Sequence, residues 1–132
     1  TSIMRVLWFS IKPIESILEE ANKQIKRLSF DESIDLIENH KTLIIDVREE
    51  SEVHNSGLIK DAIHIPRGLI EFKSADISSL IDNETYILVY CAGGYRSALA
   101  AKTLKDIGFN SVFNIGGYEE WIQHGGEIQP SL

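Results

Sequence analysis

One segment constrains this 132-residue chain more than any other: an apolar run followed directly by a cysteine and two glycines. Residues 86–90 (Tyr-Ile-Leu-Val-Tyr) are aromatic or aliphatic throughout, which predicts a strand buried on both faces, as in a parallel sheet. Cys91, Gly93 and Gly94 follow, and apolar residues then recur at helical spacing until Gly108. The segment therefore predicts a strand, a tight loop and a helix within an α/β fold.

The rest of the chain continues this alternation of helices and strands. The spacing of apolar residues predicts an amphipathic helix over residues 13–28, with acidic residues early and basic residues late, as suits the helix dipole. A short helix follows through Asn39, and strands are predicted at 43–45, 62–65 and 111–115. A last short helix carries Trp121. Together these segments predict an α/β fold with a mainly parallel sheet.

Composition excludes several classes of function. The chain suits one globular domain, with 43% apolar and 25% charged residues. A net charge of -7 with scattered basic residues argues against nucleic-acid binding. The single cysteine cannot form an intramolecular disulfide, so we expect a reducing, cytoplasmic location. The four histidines lack ligand-like spacing, so neither a metal nor a cofactor is expected.

A membrane span is not expected within this chain, because no apolar run approaches the ~20 residues that one requires. The apolar stretch at residues 6–9 is too short, although it could be the end of a longer hydrophobic anchor preceding this chain.

The loop after the predicted strand has the composition of a nucleophilic site. Gly93 and Gly94 allow backbone angles that turn several N–H groups inward, which creates an anion-binding nest. The following helix adds its positive N-terminal end, and Arg96 adds a fixed charge. All three effects should lower the pKa of Cys91 and hold the oxyanion of a donor. A lone cysteine is more often a small buried apolar residue, and it is the loop around Cys91 that favours a nucleophile.

Four segments resemble the rhodanese homology family in their order and spacing. They are residues 91–97 (Cys-Ala-Gly-Gly-Tyr-Arg-Ser), 46–49 (Asp-Val-Arg-Glu), 62–66 (Ala-Ile-His-Ile-Pro) and 109–117 together with Trp121. The resemblance covers about residues 29–126 and implies a five-stranded, mainly parallel sheet flanked by helices. The amphipathic N-terminal helix is extra to it. We therefore divide the chain into an N-terminal extension, 1–28, and a rhodanese-like domain, 29–132.

The resemblance also implies a sulfurtransferase that carries a sulfane sulfur as a persulfide on Cys91. The sulfur would come from thiosulfate or a persulfide donor and pass to a thiol or protein-thiol acceptor, or to cyanide in vitro. Arg96 is expected to hold a small anionic donor, and Asp46 and Arg48 to link the strand end to the loop. Arg67 either adds positive potential at the pocket mouth or is an ordinary surface arginine. The residues whose amides would surround the persulfide are Ala92, Gly93, Gly94, Tyr95, Arg96 and Ser97.

Two other functions remain open from the sequence. Cysteine phosphatases and arsenate reductases that share this fold place five residues between cysteine and arginine, whereas four intervene here, which makes a tighter nest. Tyr90 also stands where those phosphatases typically carry histidine. A non-enzymatic interaction module is the other alternative, although inactive members usually lose the cysteine or the glycine. The N-terminal helix could pack on its own domain, or bind a partner or a second copy in a homodimer.

Overall fold

A parallel sheet of four strands forms the centre of the computed structural model, which describes residues 10–131. The strands are β1 (Thr42–Asp46), β3 (Ile63–His64), β4 (Tyr86–Cys91) and β5 (Val112–Gly117), in the order β3-β1-β4-β5. β4 is buried from its second residue onward, since helices cover both faces of the sheet. Its carboxyl end lies where open α/β sheets usually bind ligands.

Helices and one small antiparallel ribbon surround this sheet. The helices are α1 (Ile14–Gln24), α2 (Phe30–Asn39), α3 (Glu50–Ser56), α4 (Ser74–Ser79), α5 (Tyr95–Ile107) and α6 (Tyr118–Gln123). The ribbon pairs β2 (Leu58–Ile59) with β6 (Ile128–Gln129). The fold is thus the predicted α/β class with a mainly parallel sheet. The predicted count of five strands is wrong for the regular sheet, because a single parallel bridge between Arg27 and Asn114 takes the place of the fifth strand.

That bridge also changes the predicted end of the N-terminal helix. α1 ends at Gln24, four residues earlier than the apolar spacing predicted, and Ile25 is extended. The next residues instead bond to β5, where the Asn114 amide donates to Lys26 O at 3.1 Å and Asn114 O accepts from Leu28 N at 2.9 Å. α1 packs on α5 and buries Ala21, so this helix packs on its own domain, one of the two roles expected.

Within residues 10–131, no helix has both the length and the apolar character needed to cross a membrane. The apolar stretch at 6–9 lies outside the described residues. The described part of the chain also holds no group of three His, Cys, Asp or Glu residues placed to bind a metal ion.

Candidate active site

Cys91 is the last residue of β4, and its side chain is buried beneath the loop that follows. Gly94 adopts the left-handed conformation (φ 94°, ψ 1°) and directs its amide at Cys91 Sγ, 3.0 Å away. α5 begins at the next residue, so its N-terminal end also faces this region. A residue with a Cβ would be strained at Gly94, which explains why glycine is required there.

Hydrogen bonds around the sulfur shift the pKa of the thiol. Burial alone would raise the pKa of Cys91, because it disfavours the charged form. The Ser97 hydroxyl, 3.4 Å from Sγ, and the amides of Ser97, Gly93 and Gly94 stabilise the thiolate. These donors together outweigh burial, and the pKa lies below its ordinary value. A larger fraction of Cys91 is therefore in the thiolate form, which is the nucleophilic form, than for an ordinary cysteine at the same pH.

Asn114 fixes the geometry of the loop from the neighbouring strand. Its side chain is 1% exposed, and its Nδ2 donates to Gly94 O at 2.9 Å. Its Oδ1 accepts from Gly116 N at 2.9 Å, and the single proton of Ser97 Oγ is shared between Asn114 Oδ1 at 2.8 Å and Cys91 Sγ at 3.4 Å. A shift in register within β5 places Asn114 opposite Val89 and the left-handed Gly116 opposite Tyr90. Asn114 was not predicted as a site residue from the sequence, although a polar residue in the middle of a predicted buried strand was a usable signal.

Arg96 forms an ion pair with Glu52 of α3. Its two terminal nitrogens donate to the two carboxylate oxygens at 2.7 and 3.0 Å, and both side chains are one-third exposed. This hydrogen bonding lowers the pKa of Glu52 and raises the pKa of Arg96, so both groups stay charged. The sequence predicted Arg96 as the group that holds an anionic donor, but it did not reveal the carboxylate that pairs with it.

Arg27 brings a second guanidinium to the loop from the segment before α2. A Cβ added to either Gly94 or Gly116 would lie 2.8 Å from a terminal nitrogen of Arg27, so the guanidinium lies directly on these two glycines. Arg27 Nη2 also donates to Glu120 Oε1 at 2.7 Å. With the Gly94 amide 3.0 Å from Sγ, the guanidinium lies within about 8 Å of the sulfur. Sequence analysis missed Arg27 because it lies just outside the segments that resemble the family.

Asp46 and Arg48 form a buried ion pair at the end of β1. The Arg48 amide and guanidinium donate to the Asp46 carboxylate at 2.8 to 3.1 Å. The guanidinium also donates to Ser56 Oγ at 2.9 Å and to Gly57 O at 2.7 Å. These contacts hold the end of α3, the helix that carries Glu52. The predicted link from the strand end to the loop thus runs through α3.

The other predicted residues divide between the loop and the surface. Ala92, Gly93 and Tyr95 are exposed on the loop, and Ser97 is buried beneath it. Arg67 instead bonds Glu71 at 3.3 Å and Thr103 of α5 at 3.1 Å. Thr103 lies about two turns beyond the start of α5. This direction favours the surface alternative for Arg67 over a place at the pocket mouth.

A buried cysteine that receives hydrogen bonds from backbone amides, at the carboxyl end of a parallel sheet, has the geometry of a loop that can stabilise a thiolate or another anion. The chain belongs to the Rhodanese-like domain family, whose model matches residues 29–124. The thiosulfate sulfurtransferase of Coxiella burnetii is 31% identical over 100 residues, which cover 75% of this chain and 89% of the relative.

Two solved structures resemble both the sequence and the fold. The polysulfide-sulfur transferase homodimer of Wolinella succinogenes has a TM-score of 0.70 and 29% identity, covering 89% of this chain and 87% of its own. A protein of unknown function from Rhodopseudomonas palustris, described as a possible tyrosine phosphatase, has a TM-score of 0.78 and 34% identity. Its match covers 89% of this chain and 95% of its own. The chain thus shares its fold with a sulfurtransferase and with a protein described as a possible tyrosine phosphatase.

Proposed function

We propose that this chain is a sulfurtransferase that moves a sulfane sulfur from thiosulfate or a persulfide to a thiol, through a persulfide on Cys91. The observation that carries this proposal is the set of donors around Cys91 Sγ, which lowers the pKa of a buried thiol. Relatives named as sulfurtransferases add support from sequence.

The proposed reaction has two substitution steps at sulfur. Cys91 thiolate attacks the sulfane sulfur of the donor, and the bond between that sulfur and the rest of the donor breaks. The leaving group, sulfite from thiosulfate or a thiolate from a persulfide, takes the electron pair. The acceptor thiolate, or cyanide in vitro, then attacks the outer sulfur and releases Cys91 thiolate. The amides of residues 92–97 would stabilise the negative charge on the persulfide, and the contacts of the Gly93, Gly94 and Ser97 amides with Cys91 Sγ support this role.

A cysteine phosphatase is the second candidate, because one structural relative is described as a possible tyrosine phosphatase. The spacing of the loop disfavours this candidate. The Gly94 amide lies 3.0 Å from Sγ itself, so the donors converge on the sulfur. A phosphate group bound to sulfur needs its donors set further out, and a misplacement near 1 Å can cost about a hundredfold in rate.

The test is intact mass after exposure to thiosulfate, followed by treatment with a thiol reductant. Wild-type protein should gain about one sulfur atom and lose it on reduction, whereas Cys91→Ser should gain none. The double variant C91S/S78C is a matched control, because it has one exposed cysteine at a position outside the loop. It should also gain no sulfur. Turnover to cyanide by Cys91→Ser would contradict the proposal. Hydrolysis of an aryl phosphate that depends on Cys91 would support the phosphatase instead.

A further inference from the structure

Two ion pairs each involve an arginine that lies in the cysteine loop or against it. The first joins Arg96 to Glu52 at 2.7 Å, and the second joins Arg27 to Glu120 at the same distance. The glutamates come from α3 and α6, two helices on opposite sides of the loop in the chain order. The Arg96 and Arg27 guanidinium groups are thus both held by carboxylates.

These pairs remove most of the cationic character that the loop sequence suggested. Each carboxylate cancels one guanidinium charge, so an incoming anion meets backbone dipoles and no unpaired cation from these four side chains. The whole chain adds to this effect, since it has 13 basic and 20 acidic residues. A net charge of -7 slows the approach of a small dianion at low ionic strength.

We propose that Glu52 and Glu120 are specificity-determining residues that disfavour a free dianionic sulfur donor relative to an alkyl persulfide. This inference rests on the proposed sulfurtransferase function. An alkyl persulfide, R–S–SH, delivers its outer sulfur without a sulfonate group, so it does not need the paired guanidinium groups. Cys91 thiolate attacks the outer sulfur, the S–S bond of the donor breaks, and R–S⁻ leaves with the electron pair. Cys91 then carries –S–SH, and no oxidant is consumed.

The experiment compares kcat/KM for thiosulfate and for 2-hydroxyethyl persulfide in wild type, Glu52→Gln and Glu120→Gln. Each substitution frees one guanidinium, so the ratio of thiosulfate to persulfide activity should rise about fivefold at low ionic strength. That factor corresponds to a unit charge attracting a dianion across about 8 Å of water, the separation derived above for Arg27. We expect a rise of the same order for Arg96, which lies in the first turn of α5. The rise should vanish near 1 M salt, where the screening length is about 3 Å. A purely structural effect of either glutamate would not depend on salt in this way.

Asp106→Asn is the matched control, since it also removes one negative charge from an ion pair. Asp106 pairs with Lys102 at 2.9 Å near the far end of α5, about 16 Å along the helix from the loop. This variant should leave the ratio unchanged. Activity with the persulfide shows whether each variant is folded. If Glu52→Gln loses activity with both donors, the ratio of thiosulfate to persulfide activity in Glu120→Gln tests the inference alone.

Two results would overturn the inference while leaving the sulfurtransferase function intact. One is an active protein in which neither glutamate variant raises the ratio. The other is a rise that persists at 1 M salt or that Asp106→Asn reproduces. Wild-type protein that accepts sulfur from neither donor would refute the proposed function, and the specificity inference with it.

Discussion

Replacing Asn114 by leucine tests the claim that this side chain holds the cysteine loop in place. The two side chains have the same number of heavy atoms and the same branching, and leucine is the bulkier, so the change removes the polar atoms without creating a cavity. The Gly116 amide would lose the Oδ1 acceptor that lies 2.9 Å away. Gly94 O would lose Nδ2 but keep the Ala98 amide at 3.3 Å, and Ser97 Oγ would keep Cys91 Sγ at 3.4 Å.

The expected cost follows from these contacts. One buried donor left without an acceptor costs about 1–3 kcal/mol, and each of the other two lost bonds costs about 1 kcal/mol. We therefore expect Asn114→Leu to lower the free energy of unfolding by about 3–5 kcal/mol, a large share of the 5–15 kcal/mol typical of a domain.

Urea unfolding measures this loss, and amide hydrogen exchange at Gly116 locates it. The exchange of that amide should accelerate more than exchange in the middle of β4, because only the former loses its acceptor. Asn110→Leu is the control, since it makes the same chemical change at an exposed position and should alter stability by less than about 0.5 kcal/mol. An Asn114→Leu protein as stable as the control, with unchanged exchange at Gly116, would refute the reasoning.

Three further predictions concern the thiol, the buried ion pair and Gly117. The rate at which iodoacetamide alkylates Cys91 should have a pH midpoint below the ordinary ~8.5, because the lowered pKa of Cys91 keeps thiolate present at lower pH. Ser97→Ala should raise that midpoint, and an unchanged midpoint would contradict the role of the Ser97 hydroxyl. Arg48→Met should cost about 3–5 kcal/mol in urea unfolding by leaving buried Asp46 unpaired, and adding Asp46→Asn should restore part of the loss. Gly117→Ala should impair sulfur transfer more than Gly68→Ala, because a Cβ at Gly117 would meet the Ala92 backbone oxygen whereas a Cβ at Gly68 would meet nothing within 4 Å; equal losses would count against this packing.

The sequence predicted the structure well where a local pattern of residues determines the conformation of the same segment. The apolar run of β4, the glycines after it and the spacing within α5 are all local, and together they located Cys91 at the carboxyl end of a buried parallel strand. Local hydrogen bonds from Gly94 and Ser97 could be anticipated for the same reason. The predicted α/β class was confirmed because the alternation of elements is also a local property of the chain.

The parts that could not be predicted depend on contacts between distant segments. Apolar spacing continued the first helix to Leu28, but the two backbone bonds to Asn114 make residues 26–28 extended. Glu52 lies 44 positions before Arg96, and Arg27 lies 93 positions before Glu120, so no local pattern pairs them. β2 and β6 have two residues each, which is too short to give a periodic signal.

The bond network that joins Asn114 to the loop has a consequence for the life of the newly made protein. The segments that complete the surroundings of Cys91 follow it in the sequence, at Asn114 and Gly116, so the thiol is translated before its environment can exist. Until β5 docks, the cysteine resembles one in an unfolded chain, with an ordinary pKa and little thiolate at neutral pH. Oxidation of cysteine follows both thiolate character and exposure, so completion of the fold has two opposed effects: it favours the thiolate and it buries the sulfur. The acidity of the thiol is thus acquired only when the last part of the sheet has docked.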